Sequence, residues 1–197
     1  LMFFLKEKSG NLSYRKLEML FKKSDDQSEE DFQDICSGAF AKYAAGKIRF
    51  KDQKLIQKIE SNEKFKGAKY LLEHPLWLIL ENPECSLEAL HQYMHLLPPN
   101  IQNRLFKLSK GTGIFERCDW STTAQFSHIS KLNNLDALAC FLMLIREMEL
   151  LTKWHAYVKI KWYAHNLFIR LSYFQPLPSL SVELYSLIWK YFLSKHN

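Results

Sequence analysis

Residues 134–174 read NLDALACFLMLIREMELLTKWHAYVKIKWYAHNLFIRLSYF, a stretch without a single Gly or Pro. Asn134 is a good N-cap, because its side-chain oxygen can accept from the free amides of the first turn, and Asp136 favours the positive helix end. A typical helix runs about 11–12 residues, so the stretch predicts two helices broken near Leu151-Thr152 rather than one. The first, Leu135–Leu150, is apolar on nearly every side, which is how a central helix of a multi-helix bundle reads.

Working outward, Pro176 and Pro178 mark a turn before a last helix over about Ser181–Lys195. That helix confines Glu183, Ser186, Lys190 and Ser194 to one narrow wedge. Val182, Tyr185, Leu187, Ile188, Trp189 and Phe192 are therefore expected to be packed. Upstream, Pro99 at N1 opens a helix over about Asn100–Ser109. Ser86 caps another, through Leu97, whose apolar face is Leu87, Leu90, Met94 and Leu97. Pro75–Glu81 reads as a short apolar helix behind the boundary that His74-Pro75 enforces. Weaker helices are expected at Asp52–Glu60 and Lys64–Glu73, with Lys47–Phe50 extended. Phe32, Ile35, Cys36, Ala39, Phe40 and Tyr43 follow helical spacing behind a Ser28 cap, and Gly46 stops them. Tyr14–Lys23 is the first helix the pattern supports.

The fold class that follows is all-α, a multi-helix bundle of about eight to ten helices. Its 6 Gly and 6 Pro are too few for the closely spaced turns of a β-sandwich or barrel. The least regular stretch, Lys110-Gly111-Thr112-Gly113 to Trp120, is the expected internal boundary. It separates an N-terminal helical region, 1–110, from a C-terminal helical core, 111–197, the two packed as one domain.

At 197 residues, with 47% apolar and 24% charged side chains, the composition is that of a globular protein and excludes intrinsic disorder for the bulk of it. The four cysteines, Cys36, Cys85, Cys118 and Cys140, are isolated, so reduced and mostly buried thiols are expected, in a cytoplasmic protein. Leu1–Leu5 is apolar, but charge follows at Lys6-Glu7-Lys8, so a signal peptide is not expected. The longest apolar run, Ala137–Ile145, is about half a membrane span.

The P-loop, dinucleotide-binding, nucleophile-elbow, HExxH and EF-hand signatures are absent. Lys110–Gly113 lacks the strand and the remaining residues of a phosphate loop, and reads as a turn. Glu88, His91 and His95 form an E-x-x-H-x-x-x-H arrangement on one helix flank, a donor set suited to Zn²⁺ or Fe²⁺. The same histidines also fit the edge of an apolar face, which is the favoured reading. Arg146, Glu147 and Glu149 interrupt the most apolar helix. They could form a polar site in the bundle interior, but the favoured reading is structural: Arg146 and Glu149 pair at i, i+3, or each answers a charge on a neighbouring helix, and Glu147 reaches solvent.

Between Glu149 and Glu183 no acidic residue occurs. At about 100° per residue, His155, Lys159, Tyr163, Asn166 and Arg170 share one stripe of the second long helix. Trp154, Val158, Trp162, Ile169 and Phe168 fall off the stripe and are expected to be buried. Basic residues interleaved with stacking rings suit phosphate backbone or single-stranded nucleic acid, and the net charge of +6 agrees. With only two permanent cations on the stripe, however, a solvated helix face is the favoured reading.

Three functional readings follow. The first is a non-enzymatic interaction or scaffold protein whose partner is another protein. The alternative is a nucleic-acid or polyanion binder using residues 155–170, and the third a metal-dependent enzyme built on Glu88, His91 and His95. No cofactor and no enzymatic activity are expected under the first.

Overall fold

The structure is a computed structural model that describes residues 1–22, 38–45, 47–109, 115–118, 123–174 and 177–195. Of these, 71% are helical and 4% lie in strands. The chain divides into two compact units, Leu1–Glu73 and His74–Asn197, each with its own core.

The first unit holds α1 (Met2–Lys8), α2 (Tyr14–Lys22), α3 (Ala39–Ala44), α4 (Gln53–Ser61) and α5 (Ala68–Leu72). Its core is aromatic: the Phe21 ring lies 6.2 Å from that of Phe40 and 5.0 Å from that of Phe65. The apolar residues from Met2 to Leu5 and the charged Lys6-Glu7-Lys8 together form α1, which periodicity did not reveal. The helix expected over Lys64–Glu73 is broken, because Gly67 takes a left-handed φ of 91°. Glu60, from α4, then accepts from the Gly67 and Lys69 amides at 3.0 and 2.8 Å and serves as the missing cap of α5. Those two backbone donors hold its carboxyl below the usual range. Residues 47–50 join no sheet. The Ser28 cap, Cys36 and Gly46 lie outside the described residues.

The second unit holds α6 (Pro75–Glu81), α7 (Leu87–Met94), α8 (Pro99–Leu105), β1 (Phe106–Leu108), β2 (Phe115–Arg117), α9 (Thr123–Ser130), α10 (Leu135–Leu150), α11 (Trp154–Ser172) and α12 (Ser181–Ile188). Asn134 Oδ1 accepts from the Ala137 amide at 2.9 Å, so the predicted cap opens α10. Every residue from Asp136 to Ile145 is buried, because α6, α7, α8, α9 and α11 all pack on this one helix. The break before α11 falls at Leu151-Thr152, where Thr152 takes a φ of 54°. Beyond α12, Trp189–Leu193 continues as a π-helical turn. Tyr157 of α11 ties that turn down, its hydroxyl donating to the Lys195 carbonyl at 3.1 Å. Burial, with Glu149 nearby, pushes the Tyr157 phenol up to about 12.

Three expectations are corrected here. The helix opened by Pro99 stops at Leu105 rather than Ser109, and residues 106–108 pair antiparallel with 115–117. Lys107 faces Glu116 in that pairing, a favourable cross-strand charge pair. The motif Lys110–Gly113 lies outside the described residues. On α11 the core takes Tyr157, Ile160, Ala164, Leu167, Phe168 and Leu171. Of the residues expected to be buried only Phe168 is, whereas Trp154, Val158, Trp162 and Ile169 are exposed. On α12, Leu184 and Ile188 take the core side while Val182 and Leu187 are exposed, as is Trp189 just beyond it. Both helices carry two apolar arcs, and only one of each could face the core.

Among the described residues, no helix is long and apolar enough to cross a membrane. Cys85, Cys118 and Cys140 are free and buried. Burial pushes the Cys140 thiol up to about 12, so almost none of it is thiolate at neutral pH. Native wild-type and Cys140→Ser proteins should therefore titrate equal numbers of thiols with DTNB at about pH 8. In guanidinium the two should differ by one; a native difference would show that Cys140 is reached without unfolding.

Candidate functional site

Helices α9 and α11 lie side by side, held by ring packing and by one arginine. Tyr163 of α11 packs its ring 5.8 Å from Phe126 of α9 and stacks 6.0 Å from Phe141 of α10. One turn and more along, Arg170 reaches the end of α9. Its Nη2 donates to Ser130 Oγ at 2.7 Å and to the Ser130 carbonyl at 3.1 Å, and its Nε donates to Asn133 Oδ1 at 3.3 Å. A cation at a helix C-terminus satisfies carbonyls that lack an intrahelical partner. Asn133 adopts a φ of 47°, a left-handed conformation that Asn tolerates well.

These contacts leave a cleft of about 400 Å³ whose walls include Ser127, Lys131, Asn133, Trp162, Asn166 and Arg170. Neither α9 nor α11 carries an acidic residue. The Trp162 indole stands at the wall with 61% of its surface exposed, edge-on to Tyr163 at 5.1 Å. Asn166 Nδ2 donates to the Trp162 carbonyl at 2.8 Å.

The cleft thus gathers Tyr163, Asn166 and Arg170 from the predicted stripe. His155 and Lys159 belong to the same helix but lie outside the cleft, Lys159 about 16 Å along the axis from Arg170. Tyr163 is half-buried between Phe126 and Phe141, so the ring presented to a ligand is that of Trp162, one residue earlier. From α9 and the turn after it come Ser127, Ser130, Lys131 and Asn133, none of which the sequence singled out. Only the absence of carboxylates from both helices pointed to them.

Glu88, His91 and His95 do not converge. His91 Nε2 lies 3.0 Å from Glu147 Oε1, the His95 ring stacks 4.2 Å from that of Phe106, and Glu88 is exposed. Among the described residues, no group of three or more His, Cys, Asp or Glu side chains could hold a metal ion. The i, i+3 and i+7 spacing places both histidines on one flank, but α10 and β1 approach that flank and take one ring each.

The charges of α10 are paired. Arg146 Nη1 donates to Glu149 Oε2 at 2.7 Å, as the i, i+3 spacing predicts. Glu147 does not reach solvent: it is 1% exposed, and Arg117 of β2 grips both its oxygens, Nε to Oε1 at 2.8 Å and Nη2 to Oε2. A second buried polar pair joins α6 to α10. His74 Nδ1 accepts from the Leu76 amide at 3.0 Å, which leaves its proton on Nε2 to donate to Asp136 Oδ1, also at 3.0 Å. Its sequence signal was a His directly before a Pro at N1, where a side-chain acceptor serves as a cap.

Compared with protein-family models, curated proteins and solved structures, the chain matches none.

Proposed function

We propose that this chain is a non-enzymatic binding protein that takes polyanions along the α9–α11 face, single-stranded nucleic acid above all. The observation that carries the reading is the cleft itself: Arg170 and an exposed indole on α11 and Lys131 just beyond α9, two helices that carry no carboxylate. Cations that neutralise phosphates release condensed counterions, which supplies affinity without sequence preference. An exposed indole stacks on any unpaired base, which favours single strands over duplex. Lys159 and His155 extend the same face beyond the cleft, enough for a strand to follow. The net charge of +6 supports the approach of such a ligand.

Gel shift and fluorescence anisotropy with a labelled single strand and its duplex test this at about 50 mM salt. Lys159→Ala should weaken binding about equally across sequences and flatten the slope of log K against log salt by about 1. Trp162→Ala should cost roughly 1–3 kcal/mol on single strands and little on duplex. Wild-type protein that neither binds heparin nor shifts either probe overturns the reading.

A protein partner is the second reading. Val158, Val182 and Leu187 are exposed aliphatics that offer a nucleic acid nothing to stack on, and exposed aliphatic side chains suit a protein contact better. Salt separates the two: an apolar contact persists at about 0.5 M salt, where phosphate contacts are largely lost.

A further inference from the structure

We infer that the α9–α11 cleft is a pocket for one nucleoside phosphate, its phosphate at Lys131 and Arg170 and its base against the face of Trp162. This inference rests on the polyanion reading above and names the ligand of the same site.

Arg170 is pre-organised for that task. Its Nε and Nη2 are committed to Asn133 and Ser130, which hold the guanidinium plane in place. Among the described residues nothing accepts from Nη1, so two of its five N–H donors are left for a ligand. A phosphate set there costs no further ordering of the arginine, unlike one bound by a free surface side chain. Lys131 follows directly on α9 and adds a second cation to the lining of the cleft. Ser127 and the Asn133 amide supply neutral donors around it. The rest of the lining matches a base. Trp162 offers an exposed ring, and Asn166 an acceptor whose identity the structure determines. Because a backbone carbonyl only accepts, the Asn166 atom facing the Trp162 carbonyl is Nδ2, which leaves Oδ1 and the second Nδ2 hydrogen for a ligand. The free Oδ1 suits the exocyclic amine of adenine, and the two-ring face of a purine covers more of the Trp162 indole than the single ring of uracil does. Phosphate donors, a stacking ring and an amine acceptor in about 400 Å³ amount to the complement of one nucleotide.

Fluorescence titration of the full chain with 5′-AMP, 5′-UMP, adenosine and inorganic phosphate tests the pocket, beside an oligodeoxyadenylate of about twelve residues. AMP should quench tryptophan emission, with UMP, adenosine and phosphate each binding about tenfold more weakly or less. Lys131→Gln and Trp162→Leu, both at exposed positions, should each weaken AMP by about tenfold or more. Lys159→Gln should leave AMP unchanged and weaken only the oligonucleotide. AMP that competes with the oligonucleotide makes the occupant one unit of a strand, and AMP binding without oligonucleotide binding makes it a free nucleotide. An oligonucleotide that binds while AMP does not, with Lys131→Gln and Trp162→Leu both silent, overturns the pocket and leaves the polyanion reading standing. AMP binding indifferent to both variants puts the nucleotide elsewhere and overturns it too. No binding of any probe removes both readings.

Discussion

Arg117→Ala should destabilise the protein by roughly 3–5 kcal/mol, measured by denaturant unfolding. The substitution leaves Glu147, 1% exposed inside the unit, without the guanidinium that grips both its oxygens. It also removes the Arg117 Nη1 donor from the Cys118 carbonyl at 3.1 Å and from the Leu105 carbonyl at 2.6 Å, the latter keeping the Cys118 amide at 2.8 Å. His91, 3.0 Å from Glu147, is half-buried and supplies only one further contact. An uncompensated buried carboxylate is costly because the interior solvates charge poorly, whereas two apolar groups of similar volume avoid that cost. Arg117→Met combined with Glu147→Leu should therefore recover most of the loss, within about 1–2 kcal/mol of wild type. A single-variant loss below about 1 kcal/mol, or a double variant as unstable as the single, would show that the pair is not what holds β2 to α10.

Leu142→Ala should cost about 2–5 kcal/mol by the same measurement. Leu142 sits in the middle of α10, fully buried in a run of ten consecutive buried residues. Several helices pack on α10, so no single one can move in to fill the space. Its loss should fall at the upper part of the range for that reason, since the cost rises with the cavity left behind. Leu138→Ala, equally buried, should behave alike. Losses below about 1 kcal/mol at both positions would mean that α10 is not the helix around which the unit is built.

The helical character of the chain was legible before any coordinates, and for a local reason. Caps, prolines and apolar spacing act within a few residues, so the capping role of Asn134, the Pro75–Glu81 helix, the Pro99 start and the break at Leu151-Thr152 all stand in the sequence. So does the rank of α10 as the central helix, because a helix apolar on every side has no face to turn to water. What local pattern could not settle was which of two apolar arcs of α11 and α12 faces inward. Tyr157, Ile160 and Leu167 won the core of α11, and Trp154, Val158 and Trp162 were left outside.

The candidate site divides the same way. Tyr163, Asn166 and Arg170 share a stripe because a helix repeats every 3.6 residues, and that much the sequence determined about this protein. Tertiary structure decided that α9 would close the other wall with Lys131 and Asn133, that Trp162 and not Tyr163 would carry the exposed ring, and that Glu147 would be buried against an arginine thirty positions earlier in the chain. The reason is physical. Helix periodicity places side chains relative to their own axis, while the partner each one meets depends on how separate helices pack, and that is set by the shape and volume of the whole core.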